Sequence, residues 1–110
     1  MKNISLSDSL KNIGNEVFYG CDSLETITIP NGMTSIGRGA FKCCYHLKSI
    51  RLPNGVTCIG NSAFADCENM VSVIIPDSVT NVGDFAFYGC DQLSAITISD
   101  GVTIIGGGAI

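Results

Sequence analysis

Apolar positions recur along this chain at a fixed interval of 23 residues. Residues 1–23, 24–46, 47–69, 70–92 and the incomplete 93–110 align without a gap. Numbering the interval as columns 1 to 23, column 1 holds Met1, Leu24, Leu47, Met70 and Leu93. Column 4 holds Ile4, Ile27, Ile50, Val73 and Ile96, and column 6 holds Leu6, Ile29, Leu52, Ile75 and Ile98. Side chains two apart share one face of a strand, so columns 2–6 predict a short strand with columns 4 and 6 inward and column 5 outward. A period of this length marks a solenoid, in which each copy buries its apolar face against its neighbours.

The remaining columns describe one circuit. Column 7 is Pro30, Pro53 and Pro76 in the middle copies, a residue that suits a strand end because it lacks a ladder donor. Columns 8 and 9 are turn dipeptides such as Asn31-Gly32, Asn54-Gly55 and Asp77-Ser78. Columns 10 and 13 are apolar again and predict a second, shorter strand, with Thr34, Thr57, Thr80 and Thr103 in column 11. Column 14 is Gly14, Gly37, Gly60, Gly83 and Gly106, which implies either positive φ or a close approach to the next turn. Columns 17, 18 and 21 carry a small residue, Phe18, Phe41, Phe64 or Phe87, then Cys21, Cys44, Cys67 or Cys90. That spacing predicts one helical turn with Phe and Cys directed inward, and a stacked Phe ladder. Eight columns thus face inward: 1, 4, 6, 10, 13, 17, 18 and 21.

Composition narrows the function classes. The chain has 110 residues, 45% hydrophobic and 15% charged, which suits a buried core and excludes disorder. It reads as a single domain, 1–110. The net charge is −4 and the Lys and Arg residues do not cluster, so no nucleic-acid footprint is present. No apolar run approaches bilayer length, and the N-terminus has no signal-peptide core, so no membrane insertion is expected. Column 1 begins at Met1 without a polar cap, and the last copy stops at column 18. Both ends therefore point to a piece of a longer chain, and uncapped turns invite end-to-end self-association.

The candidate chemistry reduces mostly to packing. Stacked copies lie about 4.8 Å apart, so the four thiols of column 21 spread out and cannot converge on one tetrahedral metal. They read as small buried hydrophobes. Cys43 and Cys58 fall in variable columns and should be exposed. His46, the only histidine, reads as a solvent-facing turn residue, and a Cys-His nucleophilic pair with Cys43 or Cys44 is the competing reading. No pair of acids forms an acid/base set, and no metal or cofactor is called for. The Thr column is one residue wide, too narrow for an ice-binding plane.

The motif L-x-x-I-x-I-P-x-x-V-T-x-I-G-x-x-A-F-x-x-C resembles the BspA-like leucine-rich repeat of bacterial and protozoan surface proteins. It is best defined over residues 24–92 and looser in both end copies, which lack the Pro. The resemblance implies a leucine-rich-repeat, right-handed solenoid. About five turns are expected, with two parallel β ladders and one helical or irregular turn per repeat. It further implies a cell-surface or secreted adhesion module whose partner is a host matrix or surface protein, with a cytoplasmic location as the alternative. No catalytic constellation is found in the sequence, so a non-enzymatic role is expected. The alternative to adhesion is a spacer or self-associating segment with no ligand of its own. A binding face should use outward strand positions, where the repeat dictates least. Thr26, Thr28, Ser49, Arg51, Val71 and Ile74 are candidates there, with Phe85 and Tyr88 as exposed aromatics.

Overall fold

Alternation of aliphatic and polar side chains produces two short strands per copy. The computed structural model describes residues 3–97, 101–102 and 104–108. Columns 3–5 form β1 (Asn3–Ser5), β3 (Thr26–Thr28), β5 (Ser49–Arg51), β7 (Ser72–Ile74) and β9 (Ala95–Thr97). Columns 12 and 13 form β2 (Asn12–Ile13), β4 (Ser35–Ile36), β6 (Cys58–Ile59), β8 (Asn81–Val82) and β10 (Ile104–Ile105). Pairing is parallel and shifted by one copy, for example Ile4 opposite Ile27 and Ile50 opposite Val73. The second ladder runs unbroken from β2 through β4, β6 and β8 to β10. The first is divided into β1-β3 and β5-β7-β9.

The inward columns are those the periodicity marks. All eight are buried in residues 24–46 and 47–69, and seven of them in 70–92, where Cys90 is only partly covered. Ile4, Leu6, Phe18 and Cys21 of the first copy are also only partly buried. A turn at the end of a stack has one neighbour instead of two, so its inward side chains keep contact with water. The result is a parallel β-solenoid of about three turns, which corrects the expectation of five.

The helical turn is a second correction: among the described residues no segment is helical. Columns 15–20 form turns whose N–H groups alternate between two destinations. Ala40 N–H bonds to Gly37 O, Lys42 N–H to Gly39 O and Cys44 N–H to Phe41 O, all three residues back. Between them, Gly39 N–H bonds to Asn61 O, Phe41 N–H to Ala63 O and Cys43 N–H to Ala65 O, in the next copy. An α-helix would direct every N–H four residues back along its own chain. Here the third side of the solenoid is a further inter-copy ladder, entered and left through positive φ at columns 16 and 20, as at Ser62 (φ 58°) and Asp66 (φ 60°).

Column 14 resolves to close approach. None of its glycines has positive φ, but a Cβ on Gly37, Gly60 or Gly83 would lie 2.6 Å from backbone atoms of the preceding copy. Among the described residues no helix is long and apolar enough to cross a membrane.

Candidate binding surface

The outer face of the first ladder carries the positions that the repeat leaves free. Burial alternates along these strands: Thr26, Thr28, Ser49, Arg51 and Ile74 point out while Ile27, Ile50 and Val73 point in. Arg51 lies directly opposite Ile74 in the β5-β7 register. Val71 is exposed just before β7, and its N–H bonds to Lys48 O at 2.8 Å. The structure thus brings Thr26, Thr28, Ser49, Arg51 and Ile74 onto outward strand positions, with Val71 exposed beside them.

At the end of these strands the chain turns at columns 7–10, closed by Met33 N–H to Pro30 O and Val79 N–H to Pro76 O, both 3.1 Å. Strand end and corner enclose an open groove of about 870 Å³ across the three central copies. Its lining includes the strand residues Arg51 and Ile74 and the corner residues Asn31, Asn54 and Asp77. It also includes the prolines Pro53 and Pro76 and the buried Ile29, Leu52 and Ile75. Sequence reasoning found Arg51 and Ile74 but assigned the corner residues to turn formation alone. The signal that could have found them was a run of amide and carboxylate side chains in column 8.

Phe85 and Tyr88 do not line this groove. They sit on the turn segment of 70–92, half exposed, with rings 5.6 Å apart and perpendicular. Phe85 has a φ of 57°, and its ring lies over Gly108, where an added Cβ would be 2.6 Å from it. The predicted surface therefore divides into a ladder-and-groove part and a separate aromatic pair.

A second signal missed in the sequence is column 15. Asn15 Oδ1 accepts from Arg38 N–H (2.9 Å), Asn61 Oδ1 from Asp84 N–H (2.8 Å) and Asp84 Oδ1 from Gly107 N–H (2.9 Å). Each caps the corresponding backbone group of the next copy. The Thr hydroxyls of column 11 act similarly: Thr34 donates to Lys11 O (3.0 Å) and Thr57 to Thr34 O (3.3 Å). The polar groups of this side serve the stack.

Comparison with known proteins gives the same architecture. The profile of the BspA type leucine rich repeat region matches residues 1–110 in six copies. The chain belongs to the BspA-type leucine-rich-repeat family. It is similar to the leucine-rich-repeat protein of T. pallidum, with 36% identity and a TM-score of 0.87 over 92% of this chain and 47% of that one. It is similar to a leucine rich cell surface protein of Faecalibacterium prausnitzii, with 34% identity and a TM-score of 0.86 over 91% of this chain and 27% of that one. A Bacteroides ovatus leucine-rich-repeat protein matches at 27% identity and TM-score 0.73, covering 99% of this chain and 34% of that one. The chain thus spans less than half the length of each. No curated protein matches it.

The thiols of this BspA-type repeat are more than apolar filler. Cys44 Sγ donates to Phe18 O (3.1 Å), Cys67 Sγ to Phe41 O (3.2 Å) and Cys90 Sγ to Phe64 O (3.2 Å). Each ties the Phe carbonyl of one copy to the Cys of the next. Burial pushes the Cys44 thiol up from 9.0 to about 12 and Cys90 to about 11, and raises Cys67 further. The folded protein therefore holds these protons to higher pH than the unfolded chain does. Stability from the thiols is intact below pH 9.0 and is lost as pH rises through the folded values of about 11 and 12. Thermal midpoints measured from pH 7 to 11 should fall steeply above about pH 9. Cys67→Ala should flatten that fall, and an unchanged slope would remove the thiols as its cause.

Cys58 is exposed on β6 as expected, whereas Cys43 is half-buried. Cys43 occupies a column-20 turn position (φ 62°), its N–H held by Ala65 O. Its side chain is hydrogen-bonded to Tyr45 and pushes that phenol up to about 12. His46 is exposed, and its Nδ1–H donates to Asp22 O at 2.6 Å, one copy back. That bond gives the ring a stacking role. Among the described residues no group of three or more His, Cys, Asp or Glu is placed to hold a metal ion.

Proposed function

We propose that this segment is a non-catalytic, protein-binding adhesion module of a cell-surface leucine-rich-repeat protein. The observation that carries the reading is the groove on the outward ladder, where a charged and an exposed aliphatic side chain meet on a rigid scaffold. The matched F. prausnitzii protein is itself described as a cell surface protein, which supports the same compartment. A host matrix or surface protein is the partner in this reading. Arg51 and Ile74 point away from the core, so their replacement leaves the solenoid folded. The double variant Arg51→Ala/Ile74→Ala should bind immobilised matrix proteins at least about tenfold more weakly than the parent, a difference of about 1.4 kcal/mol. Equal binding by the two would remove this surface from the adhesion reading.

A spacer without a ligand is the second reading. It is favoured by the second ladder, whose Thr and Asn side chains bond to neighbouring copies. Absence of matrix-protein binding by the parent chain at high micromolar concentration, with the fold intact, would select it.

A further inference from the structure

Some exposed asparagines of the solenoid serve the stack, whereas the groove residues Asn31 and Asn54, like Asn69 and Asn81 elsewhere, do not. Asn12, Asn15 and Asn61 accept hydrogen bonds from the next copy through their side-chain oxygens, and Asn3 accepts from Thr26. Asn31 and Asn54 are exposed, and their amides make no hydrogen bond among the described residues. A side-chain amide offers two donors and one acceptor, the complement of a peptide backbone. Arg51, like Lys11, Arg38 and Lys42, has no ion pair among the described residues, whereas Lys48 pairs with Glu25 at 3.5 Å.

We infer that the groove receives one extended peptide strand bearing a carboxylate next to an aliphatic side chain. The inference rests on the protein-binding reading above and names the chemistry recognised. Arg51 takes the carboxylate, since its planar fork matches that group in bidentate fashion. Ile74, 48% exposed, and Pro76 take the aliphatic side chain. Asn31 and Asn54 read the peptide backbone. Asp77 repels a carboxylate from its own end of the groove and so places the acid at Arg51. Three stacked copies span about 10 Å, the length of roughly three extended residues. No aromatic ring lines the groove, so the stacking platform a sugar would use is missing.

Fluorescence anisotropy with labelled, capped seven-residue peptides tests this. One peptide carries an Asp-Ile pair in a Gly/Ser background; matched peptides carry Lys-Ile or Asp-Ser. A fourth, with uncapped C-terminus and no Asp, separates chain-end from side-chain carboxylate recognition. The Asp-Ile peptide should bind at least tenfold more tightly than the Lys-Ile and Asp-Ser peptides. Arg51→Glu should invert the preference toward Lys-Ile, and Ile74→Ser should abolish the gain from Ile, both with unchanged thermal midpoints. Equal binding of all peptides, or a charge preference that survives Arg51→Glu, overturns the proposal. If that happens while Arg51→Ala/Ile74→Ala still weakens matrix-protein binding, the peptide chemistry is wrong and the adhesion surface stands. If matrix-protein binding is also unchanged, both fall.

Discussion

Replacing Phe64 with Ala should lower the unfolding free energy by about 3–5 kcal/mol. Phe64 is fully buried and sits inside a ladder of four rings. Its centroid is 5.2 Å from Phe41 and 5.4 Å from Phe87, with interplanar angles of 2° to each. Removal leaves a cavity with ring faces on both sides. Ring stacking, which the variant no longer has at this position, contributes about 0.5–1.5 kcal/mol per aromatic pair beyond area burial. The stack cannot collapse into the void, because inter-copy backbone bonds on three sides fix the spacing of the turns. Phe18 is the internal comparison: it is partly buried, with a ring neighbour on one side. Phe18→Ala should cost clearly less. Urea denaturation followed by far-UV circular dichroism measures both. Because turns of a solenoid couple only to neighbours, Phe64→Ala should also broaden the transition as the two halves uncouple. Equal costs at positions 18 and 64 would show that the ladder is not the stabilising element proposed.

Gly60→Ala is the second large effect. The added Cβ would sit 2.6 Å from Arg38 N and Gly37 C, and 2.9 Å from Gly37 O. These are backbone atoms, so no rotamer change relieves the clash. Gly60 N–H is itself held by Ile36 O at 2.9 Å, which keeps the two copies at that separation. Overpacking of this kind costs about 1–3 kcal/mol and occasionally more, and a rigid backbone partner places this case at the upper end. Two control glycines separate the causes. Gly107 has no positive φ and nothing within 4 Å, so Gly107→Ala should change stability by less than about 0.5 kcal/mol. Gly20 has equal space but a φ of 70°, so Gly20→Ala should cost about 1–2 kcal/mol through strain alone. If Gly60→Ala fell below Gly20→Ala in thermal or urea unfolding, close approach would not be what column 14 requires.

The 23-residue period by itself determined the architecture. Leu47, Ile50, Leu52, Val56, Ile59, Ala63, Phe64 and Cys67 are all buried because an identical column must stack on itself, and an apolar column is stable only when stacked inside. The outward direction of Arg51 and Ile74 followed from strand alternation, and the Pro-Asn-Gly corner from its turn chemistry. What the sequence left open were features whose partners lie one copy away. The Ala-Phe-x-x-Cys spacing looks helical locally, yet Phe41 N–H has a carbonyl from Ala63 at 2.7 Å, a partner that exists only after stacking. Positive φ at columns 16 and 20 was hidden because Glu16, Cys43, Ser62, Asp66 and Phe85 occupy those positions alongside glycines. Column 14 offered two explanations until neighbouring backbones were in place. The groove is of this kind too. Arg51, Asn54 and Asp77 are ordinary strand and turn residues in the sequence, and only the stacking of three corners brings them to one groove. Periodicity fixes which side chains meet the core, but close approach and polar satisfaction depend on the distance between copies, and that distance is set by the tertiary fold.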